Sequence, residues 1–175
     1  MPINQINLKD KQRAERKLLI TVVEWEEGTD VVREILGTRT PDSSIEYNAD
    51  ISTETDIRGI NYTDVNKTQP QQSFDPYLVL GGSKLAAFLN DLRRRNAVSE
   101  FSQFTAYIIT AYIGTSGAYE AERHDHCTIS IDSLGGDVNV NMPITLYLSN
   151  NWNDTGAPGL GTVDKLADDF VFNAG

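Results

Sequence analysis

Apolar and polar positions alternate with a period of two over much of the chain. Lys17 to Glu27 is rich in β-branched and aromatic residues and reads as a strand, and Gly28-Thr29-Asp30 supplies a turn into Val31 to Leu36. An opening β-hairpin is expected. From Ser44, the residues Ile45, Tyr47, Ala49 and Ile51 alternate with Glu46, Asn48 and Asp50, which predicts a half-buried strand. Residues 52 to 76 are polar, hold only scattered apolar residues such as Ile57, Ile60 and Val65, and are punctuated by Gly59, Pro70 and Pro76. They predict a long functional loop.

The period changes at Leu85, Phe88, Leu89 and Leu92, which form one apolar stripe at helical spacing. A helix over about 83–96 follows, with Ser83 as N-cap, Arg93 to Arg95 against the negative end of the dipole and Asn96 as a left-handed stop. Gln103 to Ile113 is apolar on both faces and predicts a central strand. Over Tyr119 to Ser149, Gly135-Gly136 separates two alternating runs and predicts a tight hairpin pairing Ile131 with Val140, Ile129 with Met142 and Cys127 with Ile144. Its second run, Val138 to Leu148, would extend roughly 35 Å at about 3.4 Å per residue. An arm that long must project past a small core or join a sheet shared with neighbouring subunits. Pro143 points to an edge or bulge. After the turn-rich stretch Asn150 to Gly161, Thr162 to Asn173 predicts a last strand with Phe170 and Phe172 opposite Val171.

The chain has 175 residues with a net charge of −10. Its length and composition suit one globular domain, 17–175, behind a basic arm, 1–16. In residues 1–20, Lys9, Lys11, Arg13, Arg16 and Lys17 stand against Asp10 and Glu15, a net of +3, which leaves −13 for the remainder. An acidic body disfavours nucleic-acid binding through an extended basic surface, but suits a surface that DNA slides past. The lone Cys127 excludes an internal disulfide framework. The apolar run Leu18 to Val23 is too short for a signal segment or a membrane span, so synthesis in the cytoplasm is expected.

Candidate chemistry is sparse. His124 and His126 would project from one strand face with Glu122 as a third possible ligand, but Cys127 would point the other way, and a solvated polar face is the better explanation. Asp154-Thr155-Gly156 matches the aspartic-protease tripeptide, yet Asn150 to Asn153 replace the apolar strand that should precede it. Gly81-Gly82-Ser83-Lys84 lacks the P-loop spacing and reads as a turn with a serine cap. Two histidines on one strand leave little room for a Ser/His/Asp triad. No catalytic, cofactor or metal residue is assigned.

The order of N-terminal strands, long polar loop, single amphipathic helix and long hairpins resembles the tail tube (major tail) proteins of tailed bacteriophages. Asp56-Ile57-Arg58-Gly59, Tyr62-Thr63-Asp64-Val65 and Gln72-Ser73-Phe74-Asp75-Pro76 look like segments of tube proteins from phages of Gram-positive hosts. The resemblance implies a mainly β, α+β fold: a β-sandwich with one helix, whose long hairpins join an inner barrel between subunits. It implies self-assembly as stacked hexameric rings in the virion tail, a tube built around the tape measure protein and meeting tail terminator and baseplate proteins. DNA would pass transiently, with no membrane contact and no cofactor. On this reading Glu120, Glu122, Ser130, Asn139 and Asn141 line the channel, while Asp56, Arg58, Tyr62, Asp64, Phe74 and Asp75 belong to an inter-subunit loop, 52–76. The alternative is a non-enzymatic β-rich head decoration or adhesion module.

Overall fold

The computed structural model describes residues 6–149 and 157–175. In chain order the strands are β1 (Leu19–Glu27), β2 (Asp30–Ile35), β3 (Ile45–Glu46), β4 (Asp50–Thr55), β5 (Asn61–Lys67) and β6 (Gln71–Phe74). The helix α1 (Lys84–Arg95) follows, then β7 (Phe104–Thr115), β8 (Ala118–Ile131), β9 (Ile144–Tyr147), β10 (Gly159–Val163) and β11 (Phe172–Ala174). The protein is mainly β. All strand pairs are antiparallel, in one sheet ordered β2-β1-β7-β8-β9-β6-β3 with β10 and β11 added alongside β8. β4 and β5 pair only with each other.

The opening hairpin forms as expected, with Glu27 opposite Asp30 and Gly28 at φ 68°, where a side chain would be strained. β7 is central, between β1 and β8. The helix has the anticipated ends: Ser83 accepts from the Ala86 N–H, and Asn96 stops it at φ 54°. Leu85, Leu89 and Leu92 are buried, and Phe88 stacks on Trp25 with ring centroids 5.6 Å apart.

β8 carries the sheet round a corner. Ala106 opposes His124 and Phe104 opposes Cys127, so one extra residue bulges out of β8, with His126 at φ 56°. Before the bulge β8 pairs with β7 and β10, and after it with β9. The two arms of the bent sheet face each other. Thr21 on β1 donates to Gln72 on β6 at 2.7 Å, although these strands are not sheet neighbours. One core joins Val23, Trp25, Phe104 and Ile108 of the first arm with Phe74, Ile129, Ile144 and Leu146 of the second and with the helix. A second cluster on the other side of the first arm gathers Val22, Tyr107, Ile109, Ala121, Val163 and Phe170.

Four expectations are corrected. The strand from Ser44 to Ile51 is broken at Asn48, which sits at φ 44°, and Tyr47 and Ile51 are exposed rather than half-buried. The loop 52–76 is instead an extension of β4, a turn, β5 and then β6. The turn is built by Asp56, whose carboxylate accepts from the Arg58 and Ile60 N–H groups at 2.8 and 2.9 Å, with Gly59 at φ 76°.

The hairpin of 119–149 keeps its faces but not its register. Ile131 meets Ile144 and Ile129 meets Leu146, a slip of four residues, so Cys127, Ile129, Met142, Ile144, Leu146 and Leu148 all stay buried. The slip arises because Tyr77 to Val79 takes the partner groups of Val140 to Met142: Val79 N–H donates to Val140 O at 3.0 Å and Met142 N–H to Tyr77 O at 2.9 Å. Residues 132–143 become a loop closed by the Gly135–Asn141 bridge, and the long hairpin is β7–β8. Finally, the last strand is split into β10 and β11. The Asp164 side chain accepts the Val171 N–H at 2.7 Å and turns the chain, while Phe170 and Phe172 still share a face against Tyr107.

Candidate assembly interface

The β4–β5 hairpin stands apart from the sheet as an arm. Its base is closed where Gln69 N–H donates to Tyr47 O at 2.8 Å and the Asn48 amide donates to Gln69 O at 3.2 Å. Its rungs are stabilised locally, with Thr55 Oγ1 donating to Asn61 at 2.6 Å and Thr53 and Thr63 hydroxyls 3.4 Å apart. Register pairs Ile51 with Val65 and Thr53 with Thr63 on one face, and Ser52 with Asp64 and Glu54 with Tyr62 on the other. One face thus carries the apolar pair Ile51–Val65 beside threonines and the other carries Tyr62; Ile51, Ile60, Tyr62 and Val65 are all exposed, and Ile57, at the tip, is fully so. A lone two-stranded hairpin is marginally stable in water, so an apolar face left open on one calls for a partner surface.

Of the six residues expected in the inter-subunit loop, Asp56, Arg58, Tyr62 and Asp64 lie on this arm. Phe74 does not: it is on β6, buried in the main core. Asp75 follows it and accepts the Asn141 amide at 3.2 Å. The sequence does not mark Ile57 and the Ile51–Val65 pair as contact residues: Ile51 reads as the end of a half-buried strand, and Ile57 and Val65 are isolated apolar residues in a polar run.

The residues expected to line a channel do not share one surface. Glu120 and Glu122 stay together, opposite Thr110 and Ile108 of β7. The β8 bulge reverses side-chain parity, so Ser130, opposite Thr145, faces the other way. Asn139 is exposed in the 132–143 loop, and Asn141 is engaged in accepting the Tyr77 N–H at 2.8 Å. Glu122 lies beside the base of the arm. Burial, then the carboxylate of Glu122 and the neighbouring Tyr112, push the Tyr47 phenol above its ordinary value.

The bulge also undoes the expected pairing of histidines. His124 is buried, with Nδ1 2.8 Å from Ser149 O and Nε2 3.3 Å from Glu122, whereas His126 is exposed. Cys127, expected on the opposite face, is buried beside His124, and its thiol is pushed up to about 11 by burial. Among the described residues no group of three or more His, Cys, Asp or Glu is placed to hold a metal ion.

At Gly81 to Lys84 the helix start is filled from within the chain. Glu34 accepts the Ser83 hydroxyl at 2.8 Å and the Leu85 N–H at 2.9 Å, taking the place an anion would occupy. Arg95 pairs with Asp91 and Glu100, so part of the arginine run is engaged locally. The Asp154-Thr155-Gly156 tripeptide lies outside the described residues. The described part of the basic segment is tied back by Asn7 N–H to Tyr112 O at 2.8 Å and by Arg16 to Ser43 O at 2.8 Å.

No helix among the described residues is long and apolar enough to cross a membrane. No protein-family model matches the chain, and no curated protein matches it.

Proposed function

We propose that the chain is a structural subunit that polymerises as stacked, hexameric rings into a hollow phage tail tube, a conduit for DNA assembled around a tape measure protein. The observation that carries this reading is the β4–β5 arm, a folded element that pairs with no other strand among the described residues and exposes Ile51, Ile57, Ile60, Tyr62 and Val65. It occupies the segment in which the resemblance to tube proteins is concentrated. The long β7–β8 hairpin, with strands of 12 and 14 residues, is the element suited to a sheet shared between subunits. Glu120 and Glu122 on it would face the channel. With a net charge of −10, such a wall repels phosphate and lets DNA pass without adhering.

The closed base of the arm makes the test clean. Replacing residues 49–68 by a short Gly-Ser turn leaves the sheet intact and removes the partner-seeking face. In sedimentation velocity, the wild-type chain forms concentration-dependent, high-mass polymers and the arm-less variant stays monomeric. A wild-type chain that stays monomeric at every concentration overturns the reading.

A further inference from the structure

His124 stands at the corner where β8 passes from one arm of the bent sheet to the other, and it is only 3% exposed. Its ring meets an acceptor on each side. Nδ1 lies 2.8 Å from the backbone oxygen of Ser149, just past β9 in the second arm, and Nε2 lies 3.3 Å from the carboxylate of Glu122 in the first. A neutral imidazole carries one N–H and an imidazolium carries two. With its proton on Nδ1 the neutral ring satisfies Ser149 and turns a lone pair toward Glu122; only the imidazolium donates to both. The pair therefore has two arrangements, and one proton chooses between them. Among the described residues, the neighbouring titratable groups do not take over that role. The flanking Arg123 and Asp125 pair with each other at 3.0 Å, His126 is exposed, and β7 places Ala106 opposite the ring. The Cys127 thiol donates to the backbone oxygen of His124 at 3.3 Å, and burial pushes it up to about 11, so it keeps its proton through neutrality. Beyond Glu122 stand Tyr47, at the base of the β4–β5 arm, and Tyr112 of β7.

We propose that His124 and Glu122 form a proton-operated latch at this corner: the doubly protonated ring ties Glu122 to Ser149 across the two arms, and loss of the Nε2 proton to solvent releases the Glu122 carboxylate beside Tyr47. The two partners are built for unequal freedom. The His124 side chain is enclosed and stays on Ser149, whereas the Glu122 side chain is 38% exposed and has water to swing into. Histidine is the side chain whose charge changes between pH 5 and 8, so the latch operates across neutrality. The Nε2–H bond to Glu122 exists only while the proton is bound, so its contribution is present on the acid side of the ring's titration and is lost as pH rises through it. The charge at the foot of the arm changes with it: the latched pair sums to zero, and the released carboxylate leaves −1. This inference is independent of the polymer reading, since every group in it belongs to one subunit.

The test is a titration of the full-length chain by NMR from pH 8 to pH 5, under non-assembling conditions, with 15N in the histidine rings and the backbone. Below its titration the two ring nitrogens of His124 should converge on the imidazolium pattern, and above it they should separate into that of a neutral ring protonated at Nδ1. The backbone amide of Tyr47 should move with the same midpoint. Glu122→Gln, a change at a partly exposed side chain, removes the negative partner and keeps the fold; it should shift the His124 titration to lower pH, abolish the matching step at Tyr47, and leave the exposed His126 where it was. A His124 ring that stays neutral throughout, or one whose titration is the same in wild type and E122Q, overturns the latch.

Discussion

Beside the shared apolar core, one small buried polar network bridges the two sheet arms, and breaking it has a calculable cost. Thr21 donates to Gln72 Oε1 at 2.7 Å, Gln72 Nε2 donates to Ser43 Oγ at 3.1 Å, and Ser43 donates to Ser73 O at 2.7 Å. Thr21 is 3% exposed and Gln72 1%, so neither finds water when its partner is removed. Thr21→Val strands the Gln72 carbonyl and Gln72→Leu strands the Thr21 hydroxyl, and a buried polar group left without a partner costs about 1–3 kcal/mol. Replacing both removes the stranded pair, so the double variant should be less destabilised than the sum of the singles, with a coupling of roughly 0.5–3 kcal/mol. Urea unfolding of the four proteins under non-assembling conditions measures this directly. In thermal scans each kcal/mol corresponds to about 2–4 °C for a domain of 150–250 residues. Additivity of the two substitutions within about 0.5 kcal/mol would refute the direct contact between the two arms at this point.

Other expectations follow from individual sites. Glu34→Ala removes the carboxylate that accepts from Ser83 and Leu85 at the helix start, and should cost about 1.5–3 kcal/mol in chemical denaturation, the range for hydrogen bonds to a charged group. Gly136→Ala meets both a left-handed φ and the Asn139 carbonyl, so it should lower stability by about 1–3 kcal/mol in urea unfolding. Burial raises the Cys127 thiol from 9.0 to about 11 and the Tyr77 phenol from 10.0 to about 12. The folded state therefore holds these protons longer than the unfolded one, and this stability, full below pH 9, is lost as pH rises from 9 through 12. Cys127→Ala should flatten the part of the alkaline decline that begins near pH 9, as followed by unfolding midpoints across pH. Ile57→Ser, by contrast, should leave monomer stability within about 0.5 kcal/mol, because the side chain is fully exposed, while lowering polymer yield.

How much of this was legible in the sequence differs from element to element, for physical reasons. The helix was readable to within a residue because stripe, cap and stop are local features, and all three fall between Ser83 and Asn96. The opening hairpin and central β7 were readable because their β-branched runs are bounded by glycine or by polar turns. The faces of Cys127 to Leu148 were readable and the register was not. A slip by an even number of residues preserves every buried side chain, and the competitor for Val140 to Met142, the segment Tyr77 to Val79, lies far away in sequence. The β8 bulge has no sequence signature either, and it alone separates Ser130 from Glu120 and Glu122 and His126 from His124. The arm was mistaken for a loop because strands open to water on both faces need no alternation. Its one readable mark was Asp56 three residues before Gly59.

The central claim, offered as a proposal, is that this chain polymerises as stacked rings into a hollow tube. Negative-stain electron microscopy of the purified wild-type protein, across a range of concentrations and salt levels, tests it most directly. The account predicts six-fold rings or hollow tubes of uniform diameter; compact monomers under every condition would contradict it.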